Sequence, residues 1–220
     1  MAGLIPMRWA LRLVEDQLAG GGAVVLPADG VNRIAYVVHG GIEAGRADFT
    51  DDTAWHGRGA ATLRAGPEGA ALWRFELVPE GAPLVAATGG RTLEKLCVVL
   101  PALPDAALLL RCDSVAFPPG GCAFLHTHQG PGIRCLIEGG IRIDTAGHST
   151  AYPPGGAWFE AGPEPVFAQA ATDRPSRFIR VMLLPARLLG QSSIAYLREE
   201  DRARPKSQRY KGYVDAVIAL

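Results

Sequence analysis

Apolar residues fall into two patterns along this chain. Near the start, Met7, Leu11, Val14 and Leu18 recur at the spacing of one helical face, with Pro6 placed to open a helix and Gly20-Gly21-Gly22 to close it. A short amphipathic helix over residues 7–18 is therefore predicted. Beyond Gly22 the pattern changes to short apolar or alternating runs, AVVLP, RIAYVVHGG, AATLRAG and ALWRFELVP, cut by Gly, Pro or Asp. Runs of this kind predict the strands of an all-β sandwich or barrel.

Two of the runs recur. IAYVVHGGI at 34–42 resembles IRCLIEGGI at 133–141 at an offset of 99 residues, and Ala65-Gly66-Pro67-Glu68 matches Ala161-Gly162-Pro163-Glu164 at an offset of 96. Collinear matches with a small slip are what a divergent tandem duplication with one loop insertion leaves. The duplication predicts that Gly40 occupies the place of Gly139, and Gly66 that of Gly162. The expected organisation is an N-terminal helical segment 1–22, a first barrel 23–87, a linker 88–104, a second barrel 105–190 and a C-terminal tail 191–220. Six basic residues between Arg198 and Lys211 face only Glu199, Glu200 and Asp201. The tail reads as a solvated extension or a partner-packing arm.

Composition narrows the function classes. The 27 glycines and 17 prolines disfavour long helices, and 48% hydrophobic against 20% charged residues is enough for a sizeable core. Equal numbers of basic and acidic residues, 22 each, leave no polybasic footprint, so neither a nucleic acid nor a membrane is an expected partner. The apolar stretch 96–110 is broken by Pro101, Pro104 and Asp105, and the N-terminus lacks the pattern of a secretory signal. A cytoplasmic location is the expectation. Cys97, Cys112, Cys122 and Cys135 form no Cys-x-x-Cys pair and read as free thiols.

The candidate chemistry lies in the second repeat, at Gly120-Gly121-Cys122-Ala123-Phe124-Leu125-His126-Thr127-His128. A His-x-His on a strand puts both imidazoles on one face, which is half of a typical divalent-metal site. This stretch resembles the first motif of the cupin family, with Gly120, His126, His128, Gly132 and Gly139 at the motif's spacings. The second motif falls more loosely on Pro154, Glu160, Gly162, Pro165 and Gln169. The resemblance covers residues 105–186 and extends through the repeat to 23–80. It implies two tandem cupin domains, that is, a bicupin of double-stranded β-helix or jelly-roll barrels, flanked here by the helix and the tail. It also implies that metal ligands are the two histidines, a glutamate and a second-motif histidine. The last two positions are Gly132 and Pro165 here, so only His126 and His128 remain. Any divalent ion, such as Fe, Ni, Mn or Zn, is expected to be weakly held. At the matching places of the first repeat stand Pro27, Asp29 and Arg33, and that barrel is expected to bind no metal.

Strand parity extends the site. With His126 and His128 inward, Cys122 and Phe124 are expected inward too, as are Arg134 and Leu136 on the next strand and Phe167 and Gln169 on a later one. A buried Arg134 needs a protein carboxylate or an acidic ligand; Gln169 offers either a polar contact to a ligand or a structural hydrogen bond. The expected ligand-binding set is Phe124, Arg134, Phe167 and Gln169. Two functions follow. The first is a small-molecule-binding bicupin with a weak or atypical metal site. The alternative is a metal-dependent cupin enzyme, a dioxygenase, decarboxylase, isomerase or lyase acting on a small organic acid or aromatic compound. A homodimer is expected, since cupin barrels commonly cover a sheet edge with another subunit.

Overall fold

The computed structural model describes residues 7–220, so Pro6 lies outside the described residues. The chain divides between Leu103 and Pro104 into two units.

In the first unit, the stretch expected to be helical is strand β1 (Trp9–Leu26). It is a central strand, hydrogen-bonded to β5 (Ala61–Pro79) on one side and β6 (Thr88–Val99) on the other. Ala10 through Val14 are all buried, with Leu11 and Leu13 on one face and Arg12, Val14, Asp16 and Leu18 on the other. The two charges interrupt the alternation, and the apolar residues left over mimic a helical spacing. Tertiary pairing and buried counter-charges decide the outcome, and neither is visible locally. Strands β2 (Asn32–Ala44), β3 (Ala47–Thr50) and β4 (Ala54–Arg58) complete a six-stranded sheet of order β3-β2-β5-β1-β6, with β4 also on β2. The long strands cross a crease, where register slips between Leu18 and Ala23 of β1 and between Gly40 and Ile42 of β2. The two halves thereby enclose a core that includes Leu18, Leu26, Val37, Ile42, Leu63 and Leu72. The segment expected as a linker is largely β6, whose exposed edge position leaves it without the apolar alternation of a buried strand.

The second unit is built from β7 (Leu108–Phe117), β8 (Cys122–His128), β9 (Gly132–Glu138), β10 (Ile141–Thr145), β11 (His148–Tyr152), β12 (Ala157–Glu160), β13 (Val166–Ala170), β14 (Ser176–Pro185), β15 (Ile194–Tyr196) and β16 (Arg209–Ile218), with a short 3-10 helix (Ala186–Leu188) and a short α-helix, α1 (Glu199–Ala203). Two five-stranded antiparallel sheets, β11-β10-β13-β8-β15 and β12-β9-β14-β7-β16, make a jelly roll around Phe117, Leu136, Ile143, Trp158, Val166 and Phe178. The C-terminal segment is not a solvated extension. β15 pairs with β8 and β16 with β7, so the segment supplies an edge strand to each sheet.

The two units share an order of pairing. In the first, β2 pairs β4 with its first half and β3 with its second; in the second, β9 pairs β12 and β10 pairs β11. The junction is Gly40 in one (φ 82°) and Gly139 in the other (φ 85°), a left-handed backbone that favours glycine. A register slip follows Val37–Leu72 in the first unit and Leu136–Phe178 in the second. The 34–42 and 133–141 match is thus structural. The other is not: Gly66 lies inside β5, whereas Gly162 lies in the loop between β12 and β13.

Candidate functional site

β8 delivers His126 and His128 to the interior of the second unit, each 5% exposed. The strand carries one extra residue relative to β13, since Val166 pairs with His126 but Ala168 pairs with Ala123. Such a bulge reverses the parity of the strand. Ala123 and the histidines therefore face the core, and Phe124 does not, contrary to the expectation from simple alternation. The His126 Nδ1–H donates to the Phe124 carbonyl at 2.6 Å. A carbonyl can only accept, so in the neutral ring the Nε2 of His126 presents a lone pair inward. It faces His128 Nε2 at 3.2 Å.

Position 132 has no side chain, but a carboxylate stands beside it on the neighbouring strand. Glu160, at the end of β12, pairs directly with Gly132 of β9. Its Oε1 accepts from Trp158 Nε1–H at 2.9 Å, and its Oε2 lies 3.6 Å from His128 Nε2. A Cβ on Gly132 would stand 2.6 Å from the Val181 carbonyl oxygen, so that position has no room for a side chain. Arg134, 1% exposed, places Nη2 2.7 Å from the same Oε2 and donates from Nη1 to the Gly132 carbonyl at 2.7 Å. Arg180 of β14 forms a two-point pair with Asp113 of β7, at 2.6 and 3.0 Å. The space enclosed by His126, His128, Arg134, Glu160, Arg180 and Phe178 is about 20 Å³, enough for one water molecule or ion.

Burial dominates the electrostatics. It pushes both histidines down, His128 well below the usual imidazole value, and Arg134 and Arg180 add to the effect. Both rings are therefore neutral at pH 7, the form that binds metal. Burial also brings Arg134 down to about 10, against the pull of Glu160. For Arg180 the pull of Asp113 outweighs burial, and its value rises.

Of the residues expected at the site, His126, His128 and Arg134 come together. Phe124 instead packs beneath the Arg204 guanidinium, 4.8 Å from its ring centre, and Phe167 lines the same outer hollow with Cys122 and Arg198. Gln169 also faces outward and donates to the Gly120 carbonyl at 2.7 Å, a structural hydrogen bond. On β13 the inward residues are Val166, Ala168 and Ala170, one position out of step with the motif alignment. Glu160, Arg180 and Asp113 were missed. Glu160 shares a strand face with Trp158, but only antiparallel pairing of β12 with β9 brings it to the histidines.

Among the described residues no three His, Cys, Asp or Glu side chains are already gathered as a metal-ligand set. What is gathered nevertheless fits a divalent ion. Donors bound to one ion at about 2.1 Å lie roughly 3.0–3.6 Å from one another, which matches the 3.2 Å and 3.6 Å separations. Glu160 Oε2 and Arg134 Nη2 are both buried and, although in contact, make no aligned hydrogen bond. An unaligned buried carboxylate oxygen beside two imidazole nitrogens is the donor set such an ion uses.

No known family profile and no curated protein matches the sequence. Solved structures do match. The Lactobacillus farciminis oxalate decarboxylase formate complex aligns with a TM-score of 0.65 at 14% identity, over 92% of this chain and 87% of that one. Bacillus subtilis oxalate decarboxylase at pH 4.6 aligns with a TM-score of 0.60 at 13% identity, over 88% and 75%. A further structure of that enzyme, described through its Mn(II) centres, gives 0.60 at 13%, over 88% and 72%. These are cupin proteins, and the chain has their all-β jelly-roll fold.

Proposed function

We propose that this chain is a bicupin whose second unit is the reaction centre of a metal-assisted enzyme acting on a small organic acid. His126 and His128 would hold the ion through Nε2, with Glu160 as the carboxylate ligand. The observation that carries the reading is the approach of two neutral, buried Nε2 atoms to 3.2 Å, with a buried carboxylate oxygen 3.6 Å from one of them. The fold shared with Mn(II)-containing oxalate decarboxylases supports it.

When bound, the ion supplies Lewis acidity toward a substrate oxygen. The chain's own groups do the rest. The Phe124 carbonyl fixes the His126 tautomer, and Trp158 and Arg134 hold Glu160 in place. Arg134 and Arg180 balance Glu160 and Asp113, so an added dication leaves an excess of positive charge that an anionic substrate neutralises. Because Arg134 also engages Glu160, the metal is held more weakly than by four unshared ligands.

Elemental analysis of protein purified without chelator or affinity metal tests the reading. Wild type is expected to carry up to one divalent ion, the His126→Ala, His128→Ala double variant none, and both to fold. If the wild type takes up no metal under any loading condition, the enzyme reading fails. The direct His128 to His126 hydrogen bond then stands as the wall of a metal-free binding pocket.

A further inference from the structure

A second and much larger cavity lies behind the histidines. It measures about 680 Å³ and is walled by β7, β14, β16 and the segment 190–194. Small-molecule sites commonly span ~300–1,000 Å³, so this space accepts a ligand the 20 Å³ histidine cavity cannot. Arg180, Ile194 and Tyr210 face both cavities, so a single layer of side chains separates them. Ser193, also on the outer wall, places its Oγ 3.5 Å from His128 Nδ1.

The wall chemistry indicates the ligand. Tyr210, Tyr213, Val214 and Ile194 give an apolar and aromatic surface, and the charged pairs Arg111–Asp215 and Arg180–Asp113 balance within themselves. Arg180 uses Nε and Nη2 on Asp113, while no hydrogen bond to the protein occupies Nη1 among the described residues. Arg180 lines the cavity, and a guanidinium with N–H groups left over beside an aromatic and apolar wall is a place for an oxygen anion.

We propose that this cavity binds an aromatic or medium-chain monocarboxylate, with its carboxylate on Arg180 Nη1 and its apolar body against Tyr210, Tyr213 and Val214. Arg180 then acts as a specificity-determining residue that orients the acid toward the histidine cavity. The inference rests on the proposed enzyme reading for its purpose, though not for the binding itself. It separates this chain from enzymes of oxalate, which is too small to fill such a chamber.

Gly212 allows a clean test. It lines the cavity, and a Cβ there meets nothing within 4 Å, so the bulk of Gly212→Trp starts from open space at the cavity wall. Ligand-observed NMR and calorimetry with benzoate and hexanoate, using the full chain, should show saturable binding. Gly212→Trp should weaken it at least tenfold while leaving metal uptake unchanged. The His126→Ala, His128→Ala variant should lose metal and keep benzoate. Absence of benzoate and hexanoate binding to the wild type, or equal binding to Gly212→Trp, overturns the inference. Metal content, read separately in the same samples, reports on the enzyme reading alone.

Discussion

The two units place an inward arginine at matching points of the same strand pattern, two residues past the shared register slip, and then use it differently. In the first unit Arg74 is enclosed in a closed ionic lattice. Its Nε donates to Asp16 at 2.9 Å and its Nη1 to Glu76. Arg12 and Arg33 donate to the same Glu76 at 2.7 and 2.9 Å, and Arg33 also pairs with Asp29 at 2.5 Å. Three guanidinium groups thus meet three carboxylates. The Pro79–Thr88 connection adds the Ala82, Pro83 and Val85 carbonyls, and Thr92 donates to Asp16. Burial raises the Glu76 pKa, yet Arg74, Arg12 and Arg33 outweigh it and leave the group below the ordinary carboxylate value. In the second unit the ion pair of Arg180 among the described residues is with Asp113, its guanidinium also faces the Tyr210 ring, and beside it stand two neutral imidazoles and a carboxylate only partly engaged. One unit has spent its interior polar positions on mutual neutralisation, while the other leaves donors facing an ion-sized space.

The sharpest way to break this contrast is Glu76→Ala. It would strand three arginines in the first unit, and removing one partner of a buried ionic set costs about 3–5 kcal/mol. Urea unfolding should show that loss, with the metal content of the second unit unchanged in the folded fraction. A loss below about 1 kcal/mol would mean that water relieves the charges and that the lattice is not closed.

A smaller effect is expected from Glu160→Gln, which keeps an oxygen for Trp158 and removes the charge. Metal affinity should fall on the order of 10–100-fold, read by competition with a chromophoric chelator. Unchanged affinity would assign Glu160 to Arg134 alone and reduce the site to two imidazoles.

The mildest difference is in acid. Unfolded histidines take up protons near pH 6.5, whereas the buried pair in the second unit resists. The unfolded state then binds more protons, so the second unit loses stability as pH falls below 6.5. Glu76 acts in the opposite range. Its stabilisation is full above the unfolded carboxylate value of 4.5 and is lost only below it. In the first unit burial also pushes down His56, but that is one half-buried ring against two deeply buried ones, so between pH 7 and pH 5 limited proteolysis should open the second unit before the first. Simultaneous opening would remove this distinction between the interiors.

The all-β class, the crease glycines Gly40 and Gly139, the His-x-His pair and the inward Arg134 were legible in the sequence, because period-two alternation and left-handed glycines are local properties. The 9–26 strand was not. Its Arg12 and Asp16 are buried by partners 64 and 58 residues away, and a local pattern counts buried charges as exposed. Phe124 was misplaced because one extra residue in β8 shows only against β13. Tertiary pairing also set Glu160 opposite Gly132, and it made the tail's β15 and β16 into edge strands of the jelly roll. Sequence determined that His126, His128 and Arg134 turn inward together. Only the pairing of distant strands decided which charges meet them, since a buried charge is tolerable only where the fold brings its counter-charge.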